Sequence, residues 1–126
     1  MSQDKAHYPQ QVPIDAYGNN GFRFAEMSHK GSMLALPSGM YGWSATAIAE
    51  LTIQHFGRIF DEKGQIGFVL LGTGMSQVWP DAELRRQFDE AGIGLDVMDT
   101  GAAVRTYNVL LAEKRPVAAA LVAVER

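Results

Sequence analysis

Ile66-Gly67-Phe68-Val69-Leu70-Leu71-Gly72-Thr73-Gly74 is the stretch whose reading decides the fold. Residues 66–71 run apolar without polar alternation, the pattern of a strand buried on both faces of a parallel sheet. The glycines that follow release the chain in a tight turn. Toward the C-terminus, Pro80, Asp81 and Glu83 suit the start of a helix. A first-turn proline loses no needed N–H there, and acidic groups meet the positive end of the helix dipole. Leu84, Phe88 and Ala91 then face inward, and Gly92 stops the helix. Residues 95–98 make the next strand, Asp99 or Thr100 caps a third helix over 102–113, and residues 116–124 close the series as a strand.

Toward the N-terminus, Thr52 is a good N-cap, and Leu51 and Phe56 occupy the two positions of a hydrophobic staple around it. Ile53, Phe56, Ile59 and Phe60 supply the apolar stripe of that first helix, up to Gly64. The section before it reads as β-rich. Residues 14–17 and 22–27 flank Gly18-Asn19-Asn20-Gly21, types that accept positive φ in a turn. A break at Lys30-Gly31 leads into 32–36, Pro37-Ser38-Gly39 turns into 40–43, and 45–50 adds a further strand. Residues 1–13, polar and carrying Pro9, read as a flexible tail, and 14–126 as a single domain. Alternating strands and helices with right-handed crossovers predict a three-layer α/β fold. Its central sheet is mixed, with helices on both faces and the N-terminal antiparallel hairpins at one side.

At 126 residues, 47% hydrophobic and 20% charged, the chain has the apolar content for one core. A net charge of −3 gives no general attraction to nucleic acid. The absence of cysteine removes disulfides, thiolate zinc sites and thiol nucleophiles together. The apolar stretches at 66–71 and 117–124 fall far short of the roughly 20 residues that span a bilayer. With no signal-peptide core at the N-terminus, a cytoplasmic protein is expected.

In an α/β sheet, ligands bind outside the carboxyl ends of the parallel strands. Two loops leave those ends: Gly72-Thr73-Gly74-Met75-Ser76, and Asp99-Thr100-Gly101. If their strands are neighbours, the loops share a crevice with the start of the third helix, whose free N–H groups suit an anion or a carbonyl oxygen. Arg105 and Asn108 lie three apart on that helix and so on one face, with Arg105 nearer the crevice. The candidate ligand or partner crevice is therefore Gly72, Thr73, Gly74, Asp99, Thr100, Gly101, Arg105 and Asn108.

Gly72-x-Gly74 after an apolar strand, with Asp99 ending the next one, comes close to a nucleotide-binding layout. Against it, Gln77 stands where a third glycine belongs, and Gln77-Val78-Trp79-Pro80 delays the helix. A structural turn is the simpler reading. The lysine and following hydroxyl of a phosphate-binding P-loop are missing, as is the Gly-x-Ser-x-Gly setting of a hydrolase serine around Ser38 or Ser76. His7, His29 and His55 have no spacing that shares a metal. Trp43 and Trp79 read equally as interface anchors or core residues, and Glu113-Lys114-Arg115 as a solvated helix end.

Several blocks together resemble the Mth-like domain family. They are Leu70-Leu71-Gly72-Thr73-Gly74, Gly92-Ile93, Val97-Met98-Asp99-Thr100-Gly101-Ala102-Ala103 and Arg105-Thr106-Tyr107-Asn108-Val109-Leu110-Leu111-Ala112-Glu113-Lys114-Arg115. Gly31-Ser32 and Pro37-x-Gly39-x-x-x-Trp43 fit the same pattern. That family includes the mitochondrial complex I assembly factor three proteins, the adipogenesis-associated Mth-domain-containing protein and many bacterial proteins. The resemblance implies a compact α/β domain with a mixed sheet and, for the mitochondrial members, a role in assembling the respiratory NADH dehydrogenase. It supplies no catalytic mechanism. Without an Arg-rich presequence the chain sides with the bacterial branch.

The leading expectation is a non-enzymatic accessory protein without cofactor or metal. Its partner would be a protein, a subunit of a membrane respiratory complex, met in the cytoplasm or at the periphery of the inner membrane. The alternative is a small-ligand binder or enzyme that uses the crevice.

Overall fold

A computed structural model describes residues 6–125 of the chain. Its central sheet has six strands in the order β1-β6-β5-β9-β7-β8. These are β1 (Ala6–Tyr8), β6 (Gly39–Gly42), β5 (Met33–Leu36), β9 (Val117–Leu121), β7 (Phe68–Gly72) and β8 (Gly94–Met98). β9 and β8 both run parallel to β7, whereas β5 is antiparallel to β9 and to β6. The sheet is therefore mixed, and β9, the last strand, sits near its middle.

Both faces of the sheet are covered, and the side chains alternate between them as a pleated strand requires. Val69 and Leu71 of β7, Leu34 and Leu36 of β5, and Ala118 and Ala120 of β9 enter one core. That core is roofed by α1 (Gly57–Asp61) and α2 (Ala82–Glu90) through Ile59, Leu84 and Phe88. Leu70, Met33, Ala35, Ala119 and Leu121 enter the other, beneath α3 (Thr100–Ala112) and its Ala103, Val104 and Tyr107. The three-layer α/β architecture expected from the sequence is present.

Beside α3 lies a second, three-stranded antiparallel sheet of β2 (Ala16–Gly18), β3 (Gly21–Phe24) and β4 (Met27–Lys30), packed through Phe22 and Phe24. Of the N-terminal hairpins, only β5–β6 joins the central sheet. The expected single strand over 22–27 is broken at Ala25-Glu26, both at positive φ, which turn β3 into β4.

Three other expectations need correction. Residues 45–50 form no strand. A 3-10 turn at Ile48–Glu50 stands there instead, closed by the Leu51 N–H donating to the Ile48 carbonyl at 3.1 Å. The single helix over 52–64 is split into a 3-10 segment, Ile53–Phe56, and the short α1, with Gly57 at the junction. His55 Nδ1 accepts the Thr52 N–H at 3.1 Å, so a histidine closes the cap. Residues 1–5 lie outside the described part, but the rest of the presumed tail is fastened. β1 pairs with β6, the Gln11 amide donates to the Val117 carbonyl at 2.8 Å, and the Tyr107 hydroxyl donates to the Val12 carbonyl at 2.7 Å.

Trp43 ends β6's course by dropping into the first core. Its indole N–H donates to the His55 carbonyl at 2.8 Å, and its ring meets Phe56 edge-on at 5.5 Å. Phe56 in turn meets Phe88 edge-on at 5.2 Å. Such edge-to-face contacts add about 0.5–1.5 kcal/mol beyond area burial.

Candidate functional site

β7 and β8 are paired neighbours, so the loops leaving their carboxyl ends do meet. What fills the junction is the protein's own polar groups. Thr100, fully buried at the first turn of α3, accepts the Gly74 N–H at 2.9 Å and donates its hydroxyl proton to the Val122 carbonyl at 2.7 Å. The Thr100 N–H donates to the Gly74 carbonyl at 2.9 Å, and the Thr73 N–H to the Met98 carbonyl at 2.9 Å. Asp99 accepts the Ala102 N–H at 2.8 Å, the cap its position suggested. One residue therefore ties the exits of β7 and β9 to the start of α3.

Two glycines allow this closeness. A Cβ on Gly72 would lie 3.0 Å from the Thr100 Cα, the Thr100 hydroxyl and a Leu121 methyl. A Cβ on Gly101 would collide with the hydroxyl of Tyr17, which reaches in from β2. Of the residues singled out in the sequence, Gly72, Thr73, Gly74, Asp99, Thr100 and Gly101 thus gather at one junction. Arg105 lies one turn along α3, exposed, with its guanidinium beside Gly101. Asn108 points away from the junction. Its amide donates to the Ile14 carbonyl at 2.8 Å and its carbonyl accepts the Ile14 N–H at 2.9 Å, which clamps the chain entering β2.

The loop between β7 and α2 carries a feature of which the sequence reading held only Trp79. The Thr73 hydroxyl donates to the Ser76 carbonyl at 2.6 Å and accepts the Val78 N–H at 3.0 Å. The Gln77 amide donates to the Val97 carbonyl at 2.8 Å, on the outer edge of β8. Held at both places, the loop nevertheless turns Met75, Val78 and Trp79 outward, at 60%, 43% and 62% exposure. The Arg85 guanidinium lies over the Trp79 ring, 5.8 Å from its centre. Single exposed apolar residues are ordinary; here three stand on one fastened loop. An apolar-rich segment with neither helical nor strand period, set between a strand and a helix, was the available signal.

Among the described residues no three His, Asp or Glu side chains are placed to hold a metal ion, and no helix is long and apolar enough to cross a membrane.

Comparison with known proteins places these observations. The family described as a protein of unknown function (DUF498/DUF598) matches residues 14–122. The mouse NADH dehydrogenase [ubiquinone] 1 alpha subcomplex assembly factor 3 is 28% identical over 118 residues, 94% of this chain and 64% of its own length. The chain thus spans under two thirds of that relative. An uncharacterised protein of Rhodobacter capsulatus is 31% identical over 87% of this chain and 83% of its own. Among solved structures, a protein of Bartonella henselae described as an outer membrane protein is 52% identical, with a TM-score of 0.91 over 94% of this chain and all of its own. A Bordetella pertussis Mth938-like domain is 25% identical, with a TM-score of 0.78 over 90% of this chain and 86% of its own.

Proposed function

We propose, from the starting point that this chain belongs to the DUF498/DUF598 family, that it is a non-enzymatic accessory protein acting in the assembly of a membrane respiratory complex. The observation that carries the reading is the similarity, along 94% of the chain, to a protein named for the assembly of NADH dehydrogenase. The junction at Thr100 supports it from the other side. Its donors and acceptors are spent on holding three elements together, which leaves the crevice few groups to offer a substrate. The fastened loop with Met75, Val78 and Trp79 is the surface on which an unassembled subunit would dock, because apolar aromatic anchors on a rigid support supply binding at low ordering cost.

The test is recovery of the tagged protein from its own cells after gentle solubilisation of membranes, with the bound proteins identified by mass spectrometry. Subunits of NADH dehydrogenase should be enriched, and deletion of the gene should lower the level of the assembled complex. An assembled complex at unchanged level in the deletion strain would refute the proposal.

A further inference from the structure

The three-stranded sheet has one face against α3, through Phe22, Phe24 and Tyr17, and one face turned away. Residues directly opposite across antiparallel strands share a face, so the registers Ala16↔Arg23↔Ser28 and Gly18↔Gly21↔Lys30 assign the outer face to those six. Three of them carry no side chain beyond a methyl, and a cavity of about 320 Å³ opens there, bordered by Gly18, Gly21, Arg23, Ser28 and Lys30 together with Asn19, Phe22 and His29. No Asp or Glu borders it.

Arg23 and Lys30 stand on the diagonal of the β3–β4 ladder, a relation that leaves about 7–8 Å between positions. Arg23 gives one guanidinium N–H to the Ser28 hydroxyl at 3.2 Å. Lys30 makes no ion pair among the described residues. Two like charges facing one hollow without an acid repel each other, and an anion between them converts that repulsion into binding. A guanidinium fork, an ammonium and a hydroxyl supply donors from three directions, which matches the oxygens of a tetrahedral phosphate better than a flat carboxylate.

We infer that the outer face of the β2–β3–β4 sheet binds a phosphate group, held by Arg23 and Lys30 with Ser28. The phosphate can belong to a small ester or to a lipid headgroup, and the experiment separates the two. The ¹⁵N-labelled protein is titrated with inorganic phosphate at fixed ionic strength, with chloride as the matched control, and its amide shifts are followed. Saturable shifts confined to residues 18–31, absent with chloride, are expected. Arg23→Ala and Lys30→Ala should each weaken binding by roughly tenfold, the loss expected for one charge-assisted hydrogen bond. Both side chains are exposed, so unchanged shifts elsewhere verify the fold of each variant.

Co-sedimentation with phosphatidylglycerol vesicles, lost in the double variant, would assign the phosphate to a lipid. Phosphate binding without vesicle binding would assign it to a soluble ester. Shifts that chloride reproduces, or that survive in the double variant, would overturn the inference.

Discussion

Thr100 shows how much of this structure hangs on single hydroxyls. It is fully buried, with one hydrogen bond accepted from Gly74 and one donated to Val122. Replacing it with valine keeps the shape and strands both backbone partners. An unsatisfied buried group costs about 1–3 kcal/mol, so with two stranded Thr100→Val is expected to lose about 2–6 kcal/mol. The loss would be read as a lower urea midpoint at unchanged slope. Thr100→Ser keeps the hydroxyl and gives up one methyl, about 1 kcal/mol. Equal losses in the two variants would show that packing, not the hydroxyl, holds the junction. Tyr107 gives a pH-dependent counterpart. Burial pushes its ionisation above the ordinary tyrosine range, although Gln11 acts in the opposite direction. In the unfolded chain a tyrosine ionises near a pH of about 10. Above that point the unfolded state holds fewer protons than the folded one, so stability falls as pH rises, by up to about 1.4 kcal/mol per pH unit. Below it this contribution is flat. Tyr107→Phe gives up the hydrogen bond to Val12, about 1 kcal/mol near neutrality, but lacks the alkaline loss. Its unfolding free energy should therefore converge on that of the parent protein above a pH of about 10, and parallel curves throughout would refute the assignment.

At the scale of elements, the hairpin between β3 and β4 turns on two residues poorly suited to it. Ala25 and Glu26 sit at φ of 48° and 63°, a region that costs an ordinary L-residue roughly 1–2 kcal/mol. The equivalent turn between β2 and β3 uses Asn19 and Asn20 at φ of 52° and 64°, residue types made for it. The double replacement Ala25→Asn with Glu26→Gly should stabilise the protein by about 1 kcal/mol, measured as a raised melting temperature. A decrease would mean that Ala25 or Glu26 makes contacts that outweigh the strain. The same contrast explains what could be read in advance. The Asn19-Asn20 turn announced itself, whereas Ala25-Glu26 carries no turn chemistry, and so β3 and β4 read as one strand. β7, α2 and α3 were legible from local signals: β7 from its unbroken apolar run, α2 from its inward-facing Leu84 and Phe88, and α3 from its Asp99 cap. Asn108 was legible only as a polar residue on a helical face. That its partner is the backbone of Ile14, 94 positions away, follows from tertiary packing and from no local pattern. The same holds for Thr100, whose place at the junction was foreseen but whose partner Val122 was not.

The whole molecule explains why its two tryptophans have opposite fates. Placing β9 between β5 and β7 lets alternate residues of one short strand feed both cores, and it draws the exits of β7, β8 and β9 to one end of the sheet. The end that receives those exits is tied off at Thr100, and the loop from β7 to α2 is pushed outward over the edge of β8. Trp43 remains inside this frame at 9% exposure and Trp79 outside it at 62%. Trp43→Ala removes a ring packed on Phe56 and a satisfied indole N–H, a loss of about 3–5 kcal/mol, and should unfold much of the protein at physiological temperature. Trp79→Ala, combined with Met75→Ser and Val78→Ser, changes surface residues, and each should move stability by no more than about 0.5 kcal/mol. If the loop is the docking surface, the triple variant keeps its melting temperature and loses the co-purified subunits. An interface anchor of this type is worth about 2 kcal/mol or more, roughly thirtyfold in affinity, enough to empty an affinity column. A triple variant that melts normally and still retains its partner would move docking away from this loop. Retention that instead fails with Arg23→Ala and Lys30→Ala would place it on the outer face of the β2–β3–β4 sheet.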